Sequence, residues 1–168
     1  MAEKARLSLN QITVNRWSVA EAVDGCVRHG IRSIALWRHK IEETGLAACV
    51  QLVNDAGLRV TSVCRGGMFP AATPQERRKN IEDNFRAVDE AAELHADSLV
   101  MVVGGSEGLD LEDARRMVAD GVAALVPYAQ ERGVRIGLEP LHPMYTAERS
   151  VLVTIGQALE LTRDYDAR

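Results

Sequence analysis

Residues 132–142 read RGVRIGLEPLH. Val134, Ile136 and Leu138 alternate with Arg135 and Gly137, and the apolar run stops on a carboxylate, Glu139. Such a stretch predicts a short buried strand that delivers a charge to its own carboxyl end. Gly133 stands where a preceding helix should close, because the residue just past a helix commonly needs φ > 0. Two more stretches share the pattern of glycine, apolar residue, arginine and apolar strand: HGIRSIALWRH (29–39) and AGLRVTSVCRGG (56–67). A fourth, HADSLVMVVGG (95–105), replaces the Gly-Arg pair with Ala-Asp, and RLSLNQI (6–12) opens the series.

Helical patterns fill the intervals. Ser18 with Glu21 predicts a capping box over 18–29. Residues 42–56 predict one helix with Leu46, Val50 and Val53 on its apolar face. Thr73 and Pro74 predict a cap and first-turn proline for a helix over 75–95. Asp110 caps a pattern over 111–132, and a last one, 154–163, starts at Thr154 and leads into a polar tail. The result is β-α five times over, an α/β protein with parallel strands and right-handed crossovers. By length alone it suits a doubly wound sheet. A complete eight-unit barrel takes ~250 residues, which leaves a barrel reading of this chain short. In both architectures the binding groups gather at the carboxyl ends of the strands.

The 168 residues suit one domain with a sizeable core, and the 46% apolar and 26% charged fractions are those of a globular protein. A net charge of −4 without a basic block argues against nucleic acid or an anionic membrane surface as partners. No apolar run approaches the ~20 residues of a membrane span, and MAEKARLSLN lacks the apolar region of a signal peptide. Cys26, Cys49 and Cys64 are an odd, unpatterned set. They suit a reduced cytoplasmic protein better than a disulfide framework.

Five strand ends are expected at Asn10-Gln11, Trp37-Arg38-His39, Cys64-Arg65-Gly66-Gly67, Gly104-Gly105 and Glu139, with His142 just beyond. Glu139 reads as a hard oxygen ligand or a base for a proton beside a carbonyl. The competing reading is a salt bridge to an arginine such as Arg65. His142, held between Pro140 and Pro143, suits a ligand or a local backbone partner. Cys64 reads as a small buried residue rather than a nucleophile. Trp37 suits a sugar face or the core. Gly66-Gly67 and Gly104-Gly105 either admit a ligand to the backbone or serve as turns; neither is a phosphate fingerprint.

SLNQITV, LWRHK, VCRGG and above all GLEPLHPMY resemble the sugar phosphate isomerase/epimerase family, which has a xylose isomerase-like TIM barrel. The resemblance runs along the whole chain and matches roughly the first five βα units of that barrel. It implies an incomplete TIM barrel with helices outside, acting on a small sugar, polyol or keto compound. It further implies a divalent metal (Mn²⁺, Mg²⁺ or Co²⁺, with Zn²⁺ a further candidate) bound by Glu139, which also serves in proton transfer. Asn10, Trp37, Arg65, Gly66 and His142 fall where the family lines its substrate pocket.

Related chains continue with three more βα units that supply further ligands and a second glutamate, whereas this one ends at Arg168. One carboxylate cannot fill the ~6 oxygen positions of such a cation. An open five-strand arc is expected to pair with a copy of itself or a complementing chain, or to be the N-terminal part of a longer isomerase. A catalytically inactive partial barrel that acts as a binding or assembly subunit is the competing expectation.

Overall fold

The computed structural model describes residues 6–163 and 165. Five strands form one parallel sheet: β1 (Ser8–Asn10), β2 (Ser33–Trp37), β3 (Arg59–Gly67), β4 (Ser98–Val102) and β5 (Arg135–Leu138). Their spatial order is β1-β2-β3-β4-β5. A doubly wound sheet reverses its strand order partway, and this one never does. Constant right-handed winding puts the helices on one side, as in a barrel wall.

Curvature agrees. The Ser8 and Thr61 hydroxyls lie 2.7 Å apart although β2 separates their strands. Strands two apart in a flat sheet are ~9.6 Å apart, so two short side chains meet only across a concave face. That face is the barrel interior. Asn10 shares it with Ser8 by the two-residue period of a strand. On the convex face Ile34, Leu36, Val63, Leu99 and Met101 are buried under the helices. Full burial of each such side chain stabilises by ~1.5–3 kcal/mol, which makes this layer the main source of stability.

The helices are α1 (Val19–His29), α2 (Arg38–Thr44), α3 (Leu46–Asp55), α4 (Pro74–Glu93), α5 (Leu111–Glu131) and α6 (Ile155–Thr162). The expected Ser18/Glu21 capping box is formed, Thr73/Glu76 and Thr154/Gln157 make two more, and Asp110 caps α5. Gly30, Gly57 and Gly133 have φ of 66°, 60° and 69°, the left-handed conformation expected of them. In the unit that lacks this glycine, His95 takes it with φ 49°.

Three boundaries differ from the sequence reading. The helix expected over 42–56 is two, because Gly45 at φ 89° breaks it. The first strand ends at Asn10, whose side chain accepts the Ile12 N–H and starts a 3₁₀ turn at Gln11–Val14. Arg38 and His39 do not extend the second strand; they open α2. The N-terminal residues 1–5 and most of the polar tail lie outside the described residues. Among the described residues no helix is long and apolar enough to cross a membrane. β1 and β5 are the sheet edges, each paired on one side only.

Candidate active site at the carboxyl ends of the strands

The ends of β2 and β3 are held by α4. Asn84, 1% exposed, accepts the Gly67 N–H at 2.6 Å and donates to the Gly67 carbonyl at 2.7 Å. Arg38 reaches from the start of α2 to both Asp83 and Glu90, with contacts of 2.6–3.1 Å. Burial works against the Arg38 charge, but the hydrogen bonds to Glu90 and Asp83 outweigh it and raise its pKa. The same contact holds the Asp83 carboxyl below the usual carboxylate range. A forked guanidinium of this kind fixes direction as well as charge.

Above this frame lies a cavity of about 360 Å³. Its wall comes from Trp37 and Arg38, from Cys64, Arg65 and Gly66, from Asn80 and Asp83 of α4, and from Arg149 beyond β5. Trp37 is half-buried, and its indole N–H donates to Asn10 Oδ1 at 2.8 Å. The Trp37 backbone N–H donates to Gln11 Oε1 at 3.2 Å. Gln11 itself is fully buried, and its Nε2 is the one buried side-chain polar atom without a partner among the described residues. So Trp37, Arg65 and Gly66 share one cavity, and Asn10 joins them through the indole.

Glu139 is the first residue after β5, and its N–H donates to the Met101 carbonyl at 3.0 Å, which extends the β4–β5 pairing. Ile136 and Leu138 pack toward the helices with Val122 and Val126 of α5, so alternation turns Glu139 to the concave side. Its side chain is exposed and belongs to none of the ion pairs among the described residues. The bridge to Arg65 is therefore not made. Burial, then the Glu139 charge, push the Cys64 thiol up to about 11 against the opposing pull of Arg65. Cys64 thus lies within the electrostatic reach of both, and at neutral pH it is a thiol rather than a nucleophile.

His142 serves its own turn. Its Nδ1 accepts the Met144 N–H at 3.2 Å and caps the 3₁₀ turn at Pro143–Tyr145. It is exposed and does not line the cavity. The double glycines are filled by protein: a Cβ on Gly67 would strike the Val102 carbonyl, and one on Gly105 the Ala147 carbonyl. Gly66 lines the cavity, while its own Cβ position is crowded by Met101 and Asn84.

The sequence reading set Arg38 among the strand ends without giving it a role, and it missed Asn84 and Arg149. Asn84 left a signal, being a polar residue on the stripe of α4 that buries Ala87, Val88 and Ala91. Arg149 left none, since its loop joins the wall through long-range backbone pairing with Gly104, Ser106 and Glu107.

Glu139, exposed and without an ion pair, has the chemistry of one metal ligand. Among the described residues no group of three or more histidine, cysteine or acidic side chains is placed to hold an ion. The residues present therefore do not fit a complete metal site.

A comparison with protein families matches residues 23–168 to the xylose isomerase-like TIM barrel. No curated protein matched the chain. Among solved structures, a Sinorhizobium meliloti 1021 protein is 47% identical with a TM-score of 0.92, over 96% of this chain and 60% of that one. A D-psicose 3-epimerase crystallised with D-fructose is 15% identical, TM-score 0.76, over 96% of this chain and 60% of its own. The IolI protein with a bound zinc atom is 16% identical, TM-score 0.77, over 95% and 59%. The likenesses below 25% identity speak for the fold alone. The chain spans about 60% of the length of the first of these structures. From the family match and the one-way strand order together, the chain belongs to the xylose isomerase-like TIM barrel family and forms five parallel βα units of that barrel.

Proposed function

We propose that this chain carries part of a sugar isomerase or epimerase site, in which Glu139 moves a proton at the carbon next to a substrate carbonyl. The observation that carries the reading is an unpaired carboxylate on the concave face of the strand ends, beside a cavity floored by β2 and β3. A carboxylate oxygen takes the carbon-bound proton, and the C–H electron pair forms the enediolate. Return of the proton to the neighbouring carbon, with the hydroxyl proton passing between the two enediol oxygens, isomerises; epimerisation takes a proton delivered to the opposite face by a second acid. Trp37, oriented by Asn10, offers an aromatic face to the sugar ring. Arg65 and Gly66 line the substrate's side of the cavity, and His142 fixes the loop just beyond Glu139.

A small sugar, polyol or keto compound is the substrate class of this reading, in keeping with the psicose epimerase among the structural relatives. The chemistry a divalent cation would supply to such a site is polarisation of the substrate oxygens and an offset to the enediolate charge. Glu139 would supply one of its ligands. A copy of the chain, or a complementing one, covering the β1 and β5 edges is part of the proposal.

The test is a panel of ketoses and their acids with wild type and Glu139→Gln. Turnover lost by at least about a hundredfold, with an unchanged circular dichroism spectrum, supports the reading. Equal turnover overturns it. The second reading, a binding or assembly subunit, is favoured by the two singly paired sheet edges. A stoichiometric complex that turns over nothing in the panel decides for it.

A further inference from the structure

One short segment, residues 10–15, holds Trp37 at three points. The indole N–H donates to Asn10 Oδ1 at 2.8 Å, and the backbone N–H donates to Gln11 Oε1 at 3.2 Å. The edge of the ring meets His39, with ring centroids 5.9 Å apart at 71°, a favoured edge-to-face arrangement. His39 is itself tied back to the segment, its Nε2 lying 3.1 Å from Asn15 Oδ1. Trp37 and His39 both line the cavity, whereas Gln11 and Asn15 stand behind them.

Gln11 stands in for a strand that stops. The β1–β2 pairing ends at Asn10 and Ala35, two residues before Trp37, because the chain turns into the 3₁₀ turn Gln11–Val14. The Trp37 N–H is thereby left without a neighbouring strand carbonyl, and a side-chain oxygen takes its place. The amide does this at a cost. It is fully buried, and its Nε2 has no partner among the described residues. A buried donor that has lost its water and gained no acceptor opposes folding. An apolar side chain of the same length would avoid that cost, but it could not hold Trp37. What Gln11 contributes is therefore direction at the cavity wall more than stability.

The grip also decides what Trp37 can read. Asn10 takes the indole N–H, the only donor of that side chain. The ring is left to meet a ligand through carbon and its π face alone.

We propose that Gln11 is a positioning residue of this site, which with Asn10 and the Asn15–His39 pair fixes the Trp37 ring as a donor-free platform for the C–H face of a sugar or polyol. The inference rests on the isomerase or epimerase reading above for the class of the bound molecule, and deepens it by naming what sets the platform. Recognition of hydroxyl groups falls to other parts of the wall.

The test is fluorine NMR of the whole chain labelled with fluorotryptophan. The chain has two tryptophans; Trp37→Phe assigns the signals, and Trp17, packed on Gly25 of α1, is the internal control. Wild type should give one narrow Trp37 signal that D-fructose or D-psicose moves. Gln11→Met keeps the length and loses the acceptor. It should broaden or split the Trp37 signal and weaken sugar binding about fivefold or more, with the Trp17 signal and the circular dichroism spectrum unchanged. Gln11→Glu, whose buried carboxyl is neutral and keeps the acceptor oxygen, should restore the narrow signal and the binding. Asn15→Ala, at an exposed position, should broaden the signal to a smaller degree, and it carries the test where Gln11→Met does not fold. A Trp37 signal that neither Gln11→Met nor Asn15→Ala alters, or that neither sugar moves in wild type, overturns the proposal. Glu139→Gln should keep the sugar-induced shift, so a loss of turnover in that variant bears on the proton-transfer reading alone.

Discussion

The side-chain amide of Asn84 closes both backbone polar groups of Gly67, accepting its N–H at 2.6 Å and donating to its carbonyl at 2.7 Å. Through this pair α4 fixes the end of β3, and with it the wall that carries Cys64, Arg65 and Gly66. Asn84→Ala leaves a buried N–H and carbonyl without partners. A loss of about 2–4 kcal/mol in urea unfolding is expected. A loss below about 0.5 kcal/mol would contradict the clamp.

Gly67 is a second fixed point. Its φ of 110° and the Val102 carbonyl against its missing side chain leave no room for alanine. Gly67→Ala should destabilise by about 3 kcal/mol or more. Gly57 at φ 60° faces open space, so Gly57→Ala should cost only about 1 kcal/mol from backbone strain. Thermal melts of the two variants measure the difference.

Acid should loosen the Arg38 clamp. The hydrogen bond from Arg38 holds the Asp83 carboxyl below its ordinary 3.8 in the folded chain. The folded state therefore takes up this proton less readily than the unfolded one. The stabilisation is complete above the unfolded value of 3.8 and is lost as pH falls through the lower folded one. Arg38→Gln should be less stable at neutral pH and show a shallower acid limb. Parallel acid limbs in the two proteins would contradict the assignment.

Cys64 reports on the placement of Glu139. With its thiol pushed up to about 11, it should react with a maleimide far more slowly at neutral pH than a free cysteine does. Glu139→Gln removes a raising charge, so the thiol should titrate at lower pH in that variant. An unchanged titration would separate the two residues and remove Glu139 from the cavity's edge.

The fold was legible because its signals are local. The recurring glycine–apolar–arginine start, the capping residues Ser18, Thr73 and Asp110, and the apolar strands each report one element's own physics. What decided between barrel and doubly wound sheet was strand order, a long-range property that five similar units do not encode one by one. The helix over 42–56 failed at Gly45, which the apolar pattern spans without registering. Within the site, Trp37, Arg65 and Gly66 were readable because they end strands. Glu139 was readable as a charge closing an apolar run. Arg149 was not, since it reaches the wall by a loop returning to Gly104, and Asn84 showed only as a polar break in an apolar stripe.

The most direct measurement is deuterium uptake from D₂O into the carbon next to the carbonyl of a bound substrate. It is followed by NMR for wild type and Glu139→Gln, on the protein purified from its source with Mn²⁺ present. The account predicts uptake with the wild type and uptake slower by at least about a hundredfold with the variant, at unchanged fold. Equal uptake in the two proteins would contradict it.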